Sequence, residues 1–575
     1  MSKKLTGIGA SEGVAIAKAY VLNEEPIDSL INDKKISDAD AEIKKVSDAM
    51  AKAKKDLESL QIIAKEKLGE EKAAVFEAHV QILEDPAMSD EWNALIRDEK
   101  TNAPAAIRTV AKKYADMFEA MDDAYFKERA ADVKDVTERL IRYTLGLHVI
   151  DLATISEEVV IVADDLSPSQ TAQLNKNFVK GFACDMGGRT SHAAIMARSL
   201  EIPAVLGLKE VVKNTKNDDI IALDGQTGHV EINPADKAEW EKRAENFKKE
   251  QEELKLYINK PTVTEDGFKG FVLEGNIGSP KDVDAVLENG GEAIGLFRSE
   301  FLYMDNDHFP TEEEQFTSYK AVVEKMKGKI TIIRTLDIGG DKKLSYFEFP
   351  HELNPFLGYR AIRFTLDRKD IFRDQIRALL RASAFGPLGI MFPMIATIDE
   401  FKAAKDFTLE CKAELEKEGV AVGKDLQIGM MVEIPAAAVN ADNFAKYADF
   451  FSVGTNDLIQ YSMAADRMSE NVTYLYQPYN PSILRLLKST IDGAHKHKRW
   501  AGMCGEMAGD VKAIPLLMGL GLDAFSMSAT SIPRARSIMA KLTLKETQDL
   551  VAKALECDNT EEVLVLVDKL LEKTL

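Results

Sequence analysis

His192 stands where a glycine pair gives way to a helical pattern, in GGRTSHAAIMAR at 187–198. A histidine so placed can be a packed core residue, a metal ligand, a general base or a nucleophile, and its neighbours alone leave these open. The glycines permit close approach to a helix start, whose exposed amides favour an anion. Thr190 or Ser191 can cap that start. A phosphate carried on His192 would lie in this field, and Arg189 either adds charge to it or is solvated.

A second set of reactive side chains recurs at the ends of apolar runs. Arg298 and Glu300 follow AIGLF, Arg334 and Asp337 lie in IIRTLD, and Glu433 ends MMVE. Asn456 and Asp457 close SVGTND, Arg467 follows ten residues after Asp457, Cys504 lies in GMCGE, and Arg360 ends NPFLGYR. Arginine makes planar, bidentate hydrogen bonds to phosphate and carboxylate. Several arginines on one surface repel each other unless an anion sits among them, so a phosphorylated small acid fits; the alternative is that each pairs with a surface carboxylate. Glu433 and Asp457 are hard oxygen ligands that suit Mg²⁺ shared with phosphate and water, or ordinary acids balancing the arginines. Cys504 is either a buried structural thiol or a proton donor, since an unperturbed pKa near about 8.5 keeps it protonated at neutral pH.

Those residues need elements to hold them. Eight short apolar runs, FVLEGNIG, AIGLFRSE, ITIIRTLD, LGIMFPMI, QIGMMVEI, DFFSVGTND, RWAGMCGE and DAFSMS, alternate with amphipathic helical segments over the last 310 or so residues. Eight such units predict a closed (β/α)₈ barrel, with an open doubly wound sheet as the second reading. Barrel active sites lie at the C-terminal ends of the strands, where the arginines and acids fall. The N-terminal half is of another kind. LTGIGASEGVAIAKAYVL, EEVVIVADDL, GFACDMGG and DDIIALDGQTGHVEINP read as strands and turns. Residues 36–145 between them are rich in Ala, Lys, Glu and Leu at helical spacing, which predicts a helical segment inserted into one α/β domain. The charged stretch 235–261 reads as a solvated helix connecting the halves, ended by Pro261.

Composition excludes other classes. At 575 residues the chain suggests three or four domains, and 45% apolar with 29% charged residues fits a soluble globular protein. A net charge of −21 argues against general nucleic-acid binding. No apolar run of about 18 residues predicts a membrane span, and the N-terminus lacks a signal-peptide core, so a cytoplasmic location without membrane insertion is expected. Cys184, Cys411, Cys504 and Cys557 show no paired spacing for disulfides or zinc.

The motifs DMGGRTSHAAIMAR, GLFRSEFLYM, RTLDIGGDK, NPFLGYRAIR, MVEIPAA, FFSVGTNDLIQY, AADR and GMCGEMAGD together resemble those of the Enzyme I family, the phosphoenolpyruvate–protein phosphotransferases of bacterial sugar uptake, along essentially the whole chain. The resemblance implies a swivelling phosphohistidine α/β domain (1–23 and 146–233) and an inserted helical domain that binds the carrier protein HPr (24–145). It further implies a helical linker (234–261) and a C-terminal barrel that binds phosphoenolpyruvate and Mg²⁺, releases pyruvate and forms a homodimer (262–575). It implies that His192 is phosphorylated on Nε2. Arg298, Arg334, Arg360, Asn456, Asp457 and Arg467 would bind phosphoenolpyruvate, Glu433 and Asp457 would hold Mg²⁺, and Cys504 would protonate the enolate. The wider family includes pyruvate phosphate dikinase and phosphoenolpyruvate synthase. Those carry a large ATP-binding domain before the histidine domain, whereas about 190 residues precede His192 here and no P-loop is evident. A non-catalytic regulatory homologue would have lost some of these residues, and none is missing.

Overall fold

The computed structural model describes the chain except residues 1, 23–26, 33, 69, 120–123, 148–151, 153–154, 189–190, 201, 305, 341, 343 and 575, and except the side chains of 28, 66–68, 70–72, 74, 124–128, 168, 172, 192, 199 and 470. It divides into two compact units, Met1–Glu250 and Gln251–Leu575, with the division inside the long helix Lys237–Lys255. Among the described residues no helix is long and apolar enough to cross a membrane.

In the first unit, Lys3–Thr6 (β1), Ile8–Ser11 (β2), Val14–Val21 (β3), Val159–Ala163 (β4), Val179–Cys184 (β5), Ala204–Leu206 (β6), Ile220–Asp224 (β7) and His229–Ile232 (β8) form one mixed sheet. The order is β1-β8-β7-β3-β4-β5-β6-β2. All five side chains of β4, VVIVA, are buried, as expected of a central strand covered on both faces. β3 and β4 are parallel neighbours, Lys18 opposite Val159, and parallel neighbours need a crossover. The helices Ala39–Leu68, Glu70–Leu83, Pro86–Asp98, Ala103–Glu119 and Ala124–Thr144 all lie within that crossover. Because loop-closure entropy grows only with the logarithm of length, so large an insertion strains the sheet little.

Local sequence sets these helices. Asp85 accepts from the amides of Ala87 and Met88 while Pro86, which has no amide to satisfy, occupies the first turn. Helical spacing then buries Met88, Trp92 and Ile96 on one face, against a core that includes Leu57, Phe76, Ile107 and Leu140.

The second unit closes the predicted barrel. Val272–Ile277 (β9), Ala293–Arg298 (β10), Thr331–Arg334 (β11), Leu388–Phe392 (β12), Leu426–Val432 (β13), Phe450–Val453 (β14), Trp500–Met503 (β15) and Ala524–Met527 (β16) pair in parallel, and β16 returns to β9. Each expected run contributes its strand. The helices Glu312–Lys325, Ile398–Lys417 and Leu544–Ala554 open on reciprocal Thr–Glu capping boxes, Thr311 with Glu314, Thr397 with Glu400 and Thr543 with Glu546.

Inside the barrel, Leu296, Ile332, Met391, Met431, Phe450 and Cys504 pack together, with Trp500 stacked on Phe450 at 4.7 Å. Glycine at 429 makes room: a Cβ there would come within 2.6 Å of the Phe450 ring. One interior side chain is an acid. Burial, helped by the charge of Glu292, pushes the Glu274 carboxyl up to about 8. A carboxyl raised in the fold binds protons more tightly there than in the unfolded chain, so it penalises the fold as pH rises above the unfolded value, fully above about 8. Glu274→Gln should therefore raise the melting temperature at pH 9 and leave it nearly unchanged at pH 5. An equal shift at both pH values would show that the charge of Glu274 is not the cause.

Candidate active site

The predicted chemistry gathers at the C-terminal mouth of the barrel. Arg298 and Arg334 are the last residues of β10 and β11. Glu433 and Cys504 follow β13 and β15 by one residue. Asn456 and Asp457 lie not on a strand but in the first turn of the helix Thr455–Met463, after Gly454. Arg467 follows that helix, which ends on Ala464 in left-handed conformation. Arg360 returns to the mouth on the long segment after β11. A Cβ at Gly339 (φ +114) would sit 2.5 Å from the Arg360 Cβ, so glycine is needed for both conformation and space. Ala361 and Met394, beside Arg360 and Glu433, hold φ of 53° and 56°. Such conformations persist in L-residues only where the surrounding structure enforces them.

These side chains form an alternating charge network. Arg334 pairs with Glu300 and, at 3.1 Å, with Asp337. Asp337 also receives Arg360 at 2.9 Å and Lys342 at 3.2 Å, and Lys342 reaches Glu300 at 2.9 Å. Arg360 continues to Asp457 at 3.4 Å, and Arg467 meets the other oxygen of Asp457 at 3.7 Å. Burial alone would raise the Asp337 carboxyl, but Arg360, Lys342 and Arg334 outweigh it and hold it well below the usual range. Burial likewise opposes the charge on Arg334, and Glu300 and Asp337 outweigh it.

Two features leave the network ready for an anion. The Nε groups of Arg334 and Arg360 are buried donors with no acceptor among the described residues, and buried donors are almost always satisfied. Arg298 is half-buried at the mouth and has no ion-pair partner among the described residues. Glu433 behaves oppositely. Burial first, then the charges of Asp457 and Asp337, push its carboxyl up to about 8. Its Oε1 accepts from the Met394 amide at 2.6 Å. No group of three or more His, Cys, Asp or Glu among the described residues could hold a metal alone. Two buried carboxyls, the charge of Asp457 adding to the rise at Glu433, fit a hard cation completed by phosphate oxygens and water.

Cys504 is buried, and burial raises its thiol pKa despite the nearby Arg334 and Arg298 charges. It is therefore a protonated thiol at neutral pH. Asn456 accepts from the Tyr476 hydroxyl at 2.9 Å.

Sequence reasoning missed Lys342 and Tyr461. Lys342 follows the glycine pair in DIGGDKK, which could have flagged it. Tyr461 accepts from Arg360 at 3.2 Å and donates to the Phe356 carbonyl at 2.6 Å, a long-range arrangement without a local signal.

His192 belongs to the first unit, where it opens the helix His192–Leu200. Ser191 takes the capping role: its Oγ accepts from the Ala194 amide at 3.4 Å and donates to the Gly188 carbonyl at 2.8 Å. Gly187 has φ +94, and a Cβ there would meet the Ser191 Oγ at 3.2 Å. Arg189 and Thr190 lie outside the described residues, as does the His192 side chain.

Three family descriptions match the chain: PEP-utilising enzyme, N-terminal, over residues 6–129; PEP-utilising enzyme, mobile domain, over 155–228; and PEP-utilising enzyme, PEP-binding domain, over 251–544. A phosphoenolpyruvate-protein phosphotransferase of Mycoplasma capricolum is 60% identical over 99% of both chains. One of Staphylococcus carnosus is 53% identical, again over 99% of both. A solution structure of an Enzyme I protein is 40% identical, covering 42% of this chain and 99% of that one, with a TM-score of 0.39.

Proposed function

The chain belongs to the phosphoenolpyruvate-protein phosphotransferase family of PEP-utilising enzymes, and from that premise we propose that it moves a phosphoryl group from phosphoenolpyruvate to His192 and then to a histidine of the carrier HPr. The observation that carries this reading is the whole-chain identity of 60% to a protein so named. The barrel mouth supplies what the chemistry needs.

Arg298, Arg334, Arg360 and Arg467 bind the phosphate and carboxylate, with Asn456 beside them. The buried Nε donors of Arg334 and Arg360 have no acceptor among the described residues. A neutral His192 Nε2 attacks phosphorus in line, the P–O bond to the enol breaks, and the arginines stabilise charge on the equatorial oxygens. The electron pair of the departing enolate reforms the carbonyl as C3 takes a proton from the Cys504 thiol. The product is pyruvate, and the thiolate recovers its proton from solvent. Glu433 and Asp457 would hold Mg²⁺, which when bound neutralises charge on the phosphate.

His192 and the mouth belong to different units, so the cycle requires His192 to visit the mouth and then the carrier. The description of 155–228 as a mobile domain supports such a cycle. The helical segment 24–145 is the proposed carrier-docking domain and the barrel the proposed site of homodimerisation. The rival reading, a dikinase or synthase, requires ATP. [³²P]phosphoenolpyruvate with Mg²⁺ should label the protein to about one phosphoryl group per chain, and [β-³²P]ATP, whose label a dikinase or synthase would retain on releasing AMP, should not. Labelling by ATP alone would favour the rival.

A further inference from the structure

Residues assigned to chemistry lie at or just beyond the ends of β10, β11, β13, β14 and β15, and β9, β12 and β16 have none; of these three, β9 and β16 are neighbours that close the barrel. Both ends carry polar side chains that bond to each other and to Cys504. Asn276 of β9 is half-buried. Its Nδ2 faces two carbonyl oxygens, that of Cys504 at 3.1 Å and that of Ser526 at 3.3 Å. The Ser526 hydroxyl donates to the Asn276 Oδ1 at 2.6 Å. These contacts fix the amide's orientation, since only its NH₂ end can face two carbonyls.

The backbone explains why a side chain is needed here. β15 and β16 pair only at Gly502–Ala524 and Met503–Phe525, so their ladder ends just before Cys504. On its other side Cys504 is held through its amide, which donates to the Val453 carbonyl at 3.1 Å. Asn276 reaches past the end of β16 and takes the Cys504 carbonyl, which the ladder leaves unpaired. With the amide held by β14 and the carbonyl by Asn276, the backbone at Cys504 has little freedom to rotate, and the direction of its Cα–Cβ bond is set.

We propose that Asn276, oriented by Ser526, is a positioning residue that aims the Cys504 thiol at the carbon it protonates. This rests on the proton-donor reading of Cys504 given above. It differs from a stability role in that its effect passes through one atom, the Cys504 sulfur.

A double-mutant cycle separates the two. With Cys504 intact, Asn276→Ala should slow pyruvate formation about tenfold with KM for phosphoenolpyruvate within about twofold, the range for losing a supporting hydrogen bond at a reacting group. Ser526→Ala, a milder change, should slow it by a smaller factor. Asn276→Asp, which keeps the shape but sets a carboxylate against two carbonyls, should be at least as slow as Asn276→Ala. In a Cys504→Ala background, Asn276→Ala should change the residual rate by less than about twofold. Equal losses in both backgrounds, a raised KM with unchanged kcat, or full activity of Asn276→Asp would overturn the inference. Full turnover by Cys504→Ala alone would overturn the proton-donor reading and this inference with it.

Discussion

His192→Ala should abolish phosphoryl acceptance from phosphoenolpyruvate while leaving its binding intact. The residues proposed to bind phosphoenolpyruvate lie in the barrel unit and His192 in the other, so the substitution removes the proposed nucleophile and leaves Arg298, Arg334, Arg360 and Arg467 in the sequence. Turnover should fall to background, because the stretch 187–198 holds no second histidine to offer a neutral nitrogen at pH 7 in its place. The cap made by Ser191 should hold the helix start in the variant, since its bonds to Gly188 and Ala194 do not involve the histidine side chain. The check is [³²P]phosphoenolpyruvate labelling beside calorimetric titration with phosphoenolpyruvate and Mg²⁺. Stoichiometric label at another residue would move the nucleophile elsewhere.

Arg360→Met should have the second large effect, on stability as well as rate. The guanidinium is fully buried between Asp337 and Asp457. Removing one member of a buried ion network leaves the remaining charges unpaired, at a cost of about 3–5 kcal/mol. Asp337 is held below its ordinary range, against burial, by Arg360 first and then by Lys342 and Arg334. A carboxyl lowered in the fold contributes stability above its unfolded pKa and loses it as pH falls through the folded value. Without Arg360 that contribution shrinks, and acid unfolding should begin at a higher pH. The catalytic loss should be on the order of 10²–10³ in kcat, as for other preorganised charge-stabilising groups. Arg360→Lys should recover part of the stability and less of the rate, because an ammonium cannot bridge both carboxylates with the planar fork of arginine. Denaturant titration from pH 4 to 8 together with steady-state kinetics would measure both effects. Unchanged stability would mean that the network does not depend on Arg360.

The barrel is legible in the sequence because each strand is a compact apolar run, and at the ends of β10, β11, β13, β14 and β15 the run changes abruptly to Arg, Asp, Glu or Cys. That local signal places Arg334, Glu433 and Cys504 within one residue of a strand end. It serves less well at Asn456 and Asp457, where SVGTND reads on as strand although Gly454 ends it and a helix begins at Thr455. β6 has only Ala204–Leu206, too short a run for periodicity to reveal; its pairing with β2 and β5 makes it a strand. Asn276 is hidden for another reason. In VLEGNI it is one polar residue among alternating ones, and its meaning lies in a bond to a carbonyl 228 positions later. The same holds for Tyr461 beneath Arg360 and for the left-handed backbone of Ala361. Composition and spacing identify which side chains can do chemistry, whereas the bonds that aim them join strands far apart in sequence.

The most direct measurement is a two-step transfer. The protein is labelled with [³²P]phosphoenolpyruvate and Mg²⁺, separated from small molecules, and divided. One part is digested and its labelled peptide mapped; the other is mixed with purified HPr. The expected result is pyruvate released in equal amount to the label, an acid-labile and base-stable phosphoryl group on the peptide containing 187–198, and transfer of that label to HPr without added nucleotide. Label on a residue other than His192, or a labelled protein that gives its phosphoryl group to AMP and phosphate but not to HPr, would contradict it.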